Sequence, residues 1–239
     1  MFLPVSKKGY DDMNNQIYRS QDIRKNLSLM QIRPLDVLVV GGTGSGKSST
    51  LNSILEDEMA AVGTGCDPET MEVSSYSLSD DFRLWDSPGL GDGRSTDISH
   101  SKKLLDILLH PYEIDGQRYG LVDMVLVVLE GANRDLGTAF KLLNDIIIPN
   151  IQPERIIIAI NQADIAMKGR HWDHINNAPD DTLRCFLAEK AGSVKKRIHE
   201  ATGVWVKQPI CYSASKRYNI RGLLDLLIDN MPTERRRFI

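Results

Sequence analysis

The sequence predicts an α/β fold: a mostly parallel, six-stranded sheet with helices on both faces, preceded by an N-terminal helical extension. Three observations carry this prediction. Strand-like and helix-like stretches alternate along most of the 239 residues, the pattern of βαβ units. Residues 122–129 (V-D-M-V-L-V-V-L) are nearly all apolar, as a strand covered on both faces must be. Residues 35–40, apolar apart from Asp36, run directly into G-G-T-G-S-G-K-S at 41–48, a glycine-rich turn that joins a strand to a helix.

The elements follow in order. Ile23, Leu27 and Met30 repeat at helical spacing, so residues 13–32 read as an amphipathic helix that docks on the domain and ends at Pro34. A role as a membrane or partner anchor is the alternative for this helix. A strand at 35–40 and a helix at 47–58 flank the turn. Residues 59–70, rich in Gly, Asp and Pro, read as a loop. Strands at 72–79 and 82–86 form a single early hairpin, followed by a second glycine-rich loop at 87–97 and a helix at 99–109. The buried strand at 122–129 leads to a helix at 136–148 and a strand at 156–160. A polar loop at 162–179, a helix at 181–201, a strand at 209–213 and a helix at 221–230 complete the chain. There is no internal repeat or low-complexity tract. The simplest division is an extension over 1–34, one domain over 35–231 and a basic tail over 232–239.

Bulk composition excludes several classes. With 41% hydrophobic and 26% charged residues, the chain has the balance of an ordinary globular protein. A net charge of -3 argues against binding nucleic acid by bulk electrostatics alone. Both ends are nevertheless basic. Six Lys/Arg face three Asp in residues 1–33, and Arg235, Arg236 and Arg237 face Glu234 at the other end. Such ends suit RNA or anionic lipid, although solvated termini are the commoner explanation. Cys66, Cys185 and Cys211 are scattered, as expected for reduced thiols in a cytoplasmic protein. The N-terminus holds no apolar core of signal-peptide length, and the longest apolar run, 124–129, falls far short of a membrane span.

The spacing G-x-x-x-x-G-K-[ST] after a strand carries specific chemistry. Backbone N–H groups of Gly42, Thr43, Gly44, Ser45, Gly46 and Lys47 can converge on an anion at a helix N-terminus. Lys47 then reaches the β- and γ-phosphates of a nucleotide, the Ser48 hydroxyl ligates Mg²⁺, and Ser49 follows at the helix start. D-S-P-G at 86–89, after a strand, supplies Asp86 to hold Mg²⁺ through water and the Gly89 N–H for the γ-phosphate. Loss of that γ-contact on hydrolysis releases the following loop, which makes a nucleotide switch. A Thr in the loop before the second strand would complete the Mg²⁺ shell. Thr70 is assigned this role, with Thr64 as the alternative.

Base choice is legible in N-Q-A-D at 161–164. The Asp164 carboxylate can accept from guanine N1–H and the exocyclic amine, a donor pair adenine lacks. Asn161 would face the O6/N7 side and tie loops together. Ser213 and Ala214, after the last strand, place the Ala214 N–H for guanine O6. GTP and GDP are therefore the expected substrate and product.

Taken together, these elements resemble the translation-factor-class GTPases and, within them, the Era/septin-like group. The tract G-x-T-G-S-G-K-S-S-x-x-N-S-I-L at 41–55 is similar to septin, chloroplast-import-receptor and immunity-associated GTPases. T-M-E-V at 70–73 and W-D-S-P-G at 85–89 resemble the interferon-inducible immunity GTPases. Over residues 35–230 the chain looks closest to stand-alone, often prophage-associated, bacterial Era-like GTPases. The resemblance implies a Mg²⁺-dependent GTP switch, homodimer pairing across the nucleotide face, and a protein effector. Two positions depart from the group. Gln162 stands where N-K-x-D has Lys, so it covers the base plane with methylenes but brings no charge. Gly44 stands where potassium-activated members carry Asn, so potassium activation is not expected.

Leu90 occupies the position of the water-orienting Gln that follows D-x-x-G in Ras-like enzymes. Slow intrinsic turnover is the expectation, with the water positioned by backbone, another loop or a partner. Arg94 and Arg134 are candidate transition-state cations, against a plain surface role. His171, Asp173 and His174 lack further metal ligands at usual spacing, and Trp85 reads as core. A ribosome- or RNA-assembly GTPase is a second reading, weakened by the lack of an RNA-binding module after the domain. A non-catalytic GTP-binding scaffold is a third, opposed by intact Lys47, Ser48 and Asp86.

Overall fold

A computed structural model describes residues 18–30, 34–58, 75–91, 94–132 and 136–237 of the chain. Strand β1, Leu35–Gly41, is buried along its whole length. It lies between β3, Phe82–Asp86, and β6, Met124–Glu130, both parallel to it. Outward from β6 come β7, Ile156–Asn161, and β10, Ile210–Cys211, again parallel; outward from β3 comes antiparallel β2, Ser75–Ser79. The order β10-β7-β6-β1-β3-β2 makes the chain leave β1 towards one side and later return to the other. Ligands of open α/β sheets sit at the carboxyl ends of the strands at such a switch point.

Apolar side chains on the two sheet faces form two cores. One packs α1 (Ser20–Met30), α2 (Lys47–Glu58) and α6 (Ile220–Asp229). The other packs α3 (Arg94–Leu108), α4 (Gly137–Lys141) with its π-helical continuation Leu142–Ile147, and α5 (Asp181–Thr202). The N-terminal helix docks through buried Ile23, Leu27 and Met30. Arg19 pairs with Asp22, Asp225 and Asp229, and Arg24 with Asp81.

Several boundaries differ from expectation. Among the described residues α1 runs Ser20–Met30, while 13–17 and 31–32 of the expected helix lie outside them, and α3 begins at Arg94, not 99. Residues 110–121 hold a second hairpin, β4 (Pro111–Ile114) with β5 (Gln117–Gly120), turning on Asp115 and Gly116 at φ 52° and 75°. Both residues of a two-residue turn with positive φ favour an Asp-Gly pair. The polar loop after β7 holds a short hairpin, β8 (Trp172–Asp173) with β9 (Ala178–Pro179). The last strand spans only Ile210–Cys211. Asp180 caps α5 by accepting from the Leu183 N–H, and Gly203 ends it at φ 73°.

The basic C-terminal segment is only partly solvated: Arg235 and Arg236 turn into the protein. Arg236 is only 5% exposed and donates to the carbonyls of Asn150 and Leu108. Its own carbonyl accepts from the Gly120 N–H, and Arg237 bridges Tyr119. Arg235 donates to the Met30 carbonyl and lies over the Tyr119 ring. Arg155 donates to the carbonyls of Asp123 and Glu234. These guanidiniums close backbone carbonyls at the amino end of the sheet. Arg236→Ala strands two buried carbonyls, so the expected cost is about 2–4 kcal/mol, read as a lower urea midpoint at unchanged m-value.

Asp123, directly before β6, accepts from the Asp36 N–H at 3.0 Å while its Oδ1 is buried without a partner. Burial pushes its pKa up to about 7, against the pull of Arg155 and Arg236. Burial raises Asp36 as well, although the Arg83 guanidinium and the Trp85 indole N–H bind its carboxylate. A carboxyl raised in the folded state holds a proton that the unfolded chain has released, so stability falls as pH rises through the interval between the two values. The Asp123 contribution is therefore lost from about pH 4 to about pH 7. Urea midpoints measured across that range fall with pH, and Asp123→Asn flattens the slope.

Candidate functional site

The phosphate loop continues β1 and enters α2. Its shape depends on glycine at two positions. Gly44 and Gly46 have φ 79° and 87°, the left-handed region where a Cβ is costly. A Cβ at Gly46 would also strike the Asn161 Nδ2. Alternation of backbone handedness turns successive N–H groups inward, which builds an anion-binding concavity at the α2 N-terminus. Ser45 is buried, while Thr43, Gly44, Ser48 and Ser49 are exposed and Gly42 is partly buried.

Lys47 is 8% exposed. Its ammonium donates to the Gly41 and Gly42 carbonyls at 3.3 and 3.1 Å, so it lies along the loop whose anion it would neutralise. The Ser48 hydroxyl donates to Asp86 Oδ2 at 3.1 Å. Asp86 Oδ1 is buried without a partner, and burial raises the Asp86 pKa despite Ser48 and the nearby Lys47 charge. A hydroxyl beside a carboxylate with an orphaned buried oxygen is a donor set that fits a hard divalent cation. Thr70, expected in this shell, and its alternative Thr64 lie outside the described residues, as do Cys66 and Arg134. The Arg94 side chain is not described.

The D-S-P-G turn packs onto the loop. Leu90 pairs with Gly42, its carbonyl accepts from the Thr43 N–H at 2.7 Å, and its N–H donates to Gly41 O at 3.4 Å. Gly89 sits so close that a Cβ there would meet Thr43 Oγ1 at 2.7 Å and Lys47 Nζ at 2.9 Å. Two α3 residues absent from the sequence reading anchor this turn. His100 Nδ1 lies 2.5 Å from the Gly89 carbonyl, and Asp97 accepts from the Gly91 N–H at 2.7 Å. Beside the turn a cavity of about 200 Å³ is lined by Thr43, Ser45, Leu90, Glu130 and Thr138, among others.

The base-side motif meets the loop through Asn161. Its amide donates to the Ser45 carbonyl at 3.1 Å and accepts from the Ala214 N–H at 3.0 Å. The Ala214 N–H, expected to point at a base oxygen, is thus engaged by Asn161, and an O6 contact must share or exchange this bond. Gln162, left-handed at φ 63°, donates to the Gly44 carbonyl at 3.2 Å, so it is tied to the phosphate loop. Asp164 is 8% exposed and accepts from the Ser213 hydroxyl at 2.6 Å and from Ser215 at 3.5 Å. Ser215 was not singled out, since no spacing rule names it. Thr50 and Tyr212 join hydroxyls at 2.6 Å beneath the loop, and Thr50 also donates to Gly46 O. His171 pairs with Asp180, and Asp173 holds the 175–176 backbone. No group of three or more metal-ligating residues occurs among the described residues. Trp85 is fully buried, as expected, but also donates to Asp36.

Residues 12–107, less than half of the chain, match the family model of the interferon-inducible GTPases (IIGP). Among solved structures, a GTP-binding protein of the hyperthermophilic archaeon Sulfolobus solfataricus in complex with GDP is 17% identical at a TM-score of 0.51, covering 89% of this chain and 57% of that one. Era, in complex with MgGDPNP and nucleotides 1506–1542 of 16S ribosomal RNA, is 15% identical at 0.51, covering 84% and 58%. The bacterial dynamin GTPase LeoA from ETEC is 14% identical at 0.50, covering 91% and 39%. The chain spans less than two thirds of each of these relatives. Among the described residues no helix is long and apolar enough to cross a membrane. Its fold is that of the P-loop GTPase G domains, and the stretch that is similar to the interferon-inducible GTPases holds both the phosphate loop and the D-S-P-G turn.

Proposed function

We propose that the protein is a guanine-nucleotide switch with slow intrinsic turnover, built on a G domain over 35–231 with a helical extension over 1–34 and a C-terminal tail over 232–239. The observation that carries this reading is Asn161. One amide joins the phosphate loop at Ser45 to the base-side loop at Ala214, so base recognition and phosphate binding share one rigid strut. Asp164, oriented by Ser213 and Ser215, accepts the two guanine donors. Lys47 exchanges the Gly41 and Gly42 carbonyls for phosphate oxygens, and the Gly89 N–H turns to the γ-phosphate.

Ser48 and Asp86, joined by Thr70, would hold Mg²⁺. The ion supplies charge neutralisation to the β- and γ-phosphates when bound. The Leu90 side chain offers no hydrogen bond to the attacking water, so intrinsic turnover is slow. The Gly89–Gly91 turn, held by His100 and Asp97, is the element that hydrolysis would release to an effector. A second copy across the nucleotide face would raise the rate, as the resemblance to septin and import-receptor domains suggests. The test is phosphate release per molecule across a wide range of protein concentration. A rate rising with concentration, together with a dimer mass under a transition-state analogue, supports pairing. A flat rate and a monomer mass leave a switch awaiting a different partner.

A further inference from the structure

We propose that the C-terminal end of α5 and the segment after it form a binding platform for single-stranded nucleic acid, with Trp205 as the stacking surface. Trp205 is 60% exposed, whereas Trp85 and Trp172 are buried at 0% and 6%. The indole stacks on the His199 imidazole with ring centroids 3.8 Å apart and planes 13° from parallel. An exposed aromatic is normally free to rotate, and ordering it on binding costs affinity. Here the imidazole behind the ring removes much of that cost.

Basic residues cluster in the sequence on both sides of the stack. Residues 190–207 contain Lys190, Lys195, Lys196, Arg197 and Lys207 against Glu200 alone, although the whole chain carries net charge -3. Lys195 Nζ lies 6.0 Å from the centre of the indole ring. Trp205 and Lys207 are exposed on either side of buried Val206, so the core anchors the strip that carries both. Glu200 is drawn towards Lys196 at 3.6 Å. A flat ring with flanking ammonium groups matches the two recurring needs of single-strand binding: a π-face for a base and cations along the backbone.

The chemistry favours a base over a bilayer. Among the described residues the other exposed large apolar side chains are Leu29, Ile98, Leu109, Ile165 and Ile175, all on other segments, so Trp205 stands as one ring among basic residues. A duplex hides its base faces within its own stack, which restricts the fit to unpaired strands. The platform also lies away from the nucleotide. Helix α5 starts after β9 and ends before β10 begins, so Trp205 sits at the amino end of the parallel strands and the phosphate loop at their carboxyl end. The inference stands apart from the guanine-nucleotide reading, and each can fail alone.

The test is titration of the full chain with oligo(U) of about 12 nucleotides, within the usual site size, following tryptophan emission and the anisotropy of a labelled strand. Saturable quenching with salt-dependent affinity is expected. Trp205→Ala weakens anisotropy-detected binding by about 5- to 150-fold, the range for loss of one stacked base, while Trp205→Phe keeps most of it. Lys207→Glu, which leaves the stack in place, weakens binding and lowers the salt slope by about one. Urea midpoints of these variants match wild type, which certifies their fold. The proposal is overturned if wild type and Trp205→Ala bind alike or neither binds. It is also overturned if a duplex of equal length binds as well, or if anionic phosphatidylserine vesicles shift the emission while oligo(U) does not.

Discussion

Lys47→Ala loses GTP hydrolysis by about 10²–10³-fold, the usual cost of removing one preorganised cation or donor from a developing negative charge. Lys47 is 8% exposed, and its ammonium donates to the Gly41 and Gly42 carbonyls. It is thus dry and positioned before any phosphate arrives. Alanine removes the charge without disturbing the α2 N-terminus, because Ala is the best helix former. Stability is expected to hold or rise, since the buried cation vanishes. Single-turnover phosphate release with unfolding midpoints in parallel checks both halves. A variant that lost activity only by unfolding would remove Lys47 from the chemistry.

Asp164→Asn inverts base preference. Asp164 is 8% exposed, and its carboxylate accepts a hydroxyl bond from Ser213 at 2.6 Å. Its remaining acceptor capacity is what the guanine N1–H and exocyclic amine require. An amide faces that amine with a donor of its own. With one hydrogen bond to a charged group lost and a donor clash added, GTP affinity falls by about 10²–10³-fold. Xanthosine triphosphate carries an oxygen in place of the amine, so the variant gains affinity for it. Competition of the two nucleotides for a fluorescent analogue reads the inversion directly. Equal loss for both would show that Asp164 shapes the Ser213–Ser215 loop and does not read the base.

What could be read from the chain depended on how local the physics was. β1 and β6 are buried on both faces, and their apolar runs say so without reference to neighbours. The phosphate loop and the 161–164 motif are contiguous, so spacing alone located them. The β4–β5 hairpin escaped because its residues are half-exposed and show no alternation. The Asp115-Gly116 pair was its one available signal. Arg235 and Arg236 were misread because a charge run describes composition, whereas their partners are carbonyls at Met30, Leu108 and Asn150, far off in sequence. The same reason hid His100. Its contact with the Gly89 carbonyl crosses from a helix to a loop, and no motif rule names it. The engagement of the Ala214 N–H by Asn161 likewise belongs to the folded arrangement of two loops.

Guanine-specific, cation-dependent hydrolysis at this loop is open to direct measurement. The most direct measurement is steady-state phosphate release from GTP and from ATP, with and without Mg²⁺, with Lys47→Ala as the blank. Slow release from GTP alone, dependent on Mg²⁺ and absent in the blank, is the predicted result. Preference for ATP, or release from GTP no faster than the blank, would contradict it.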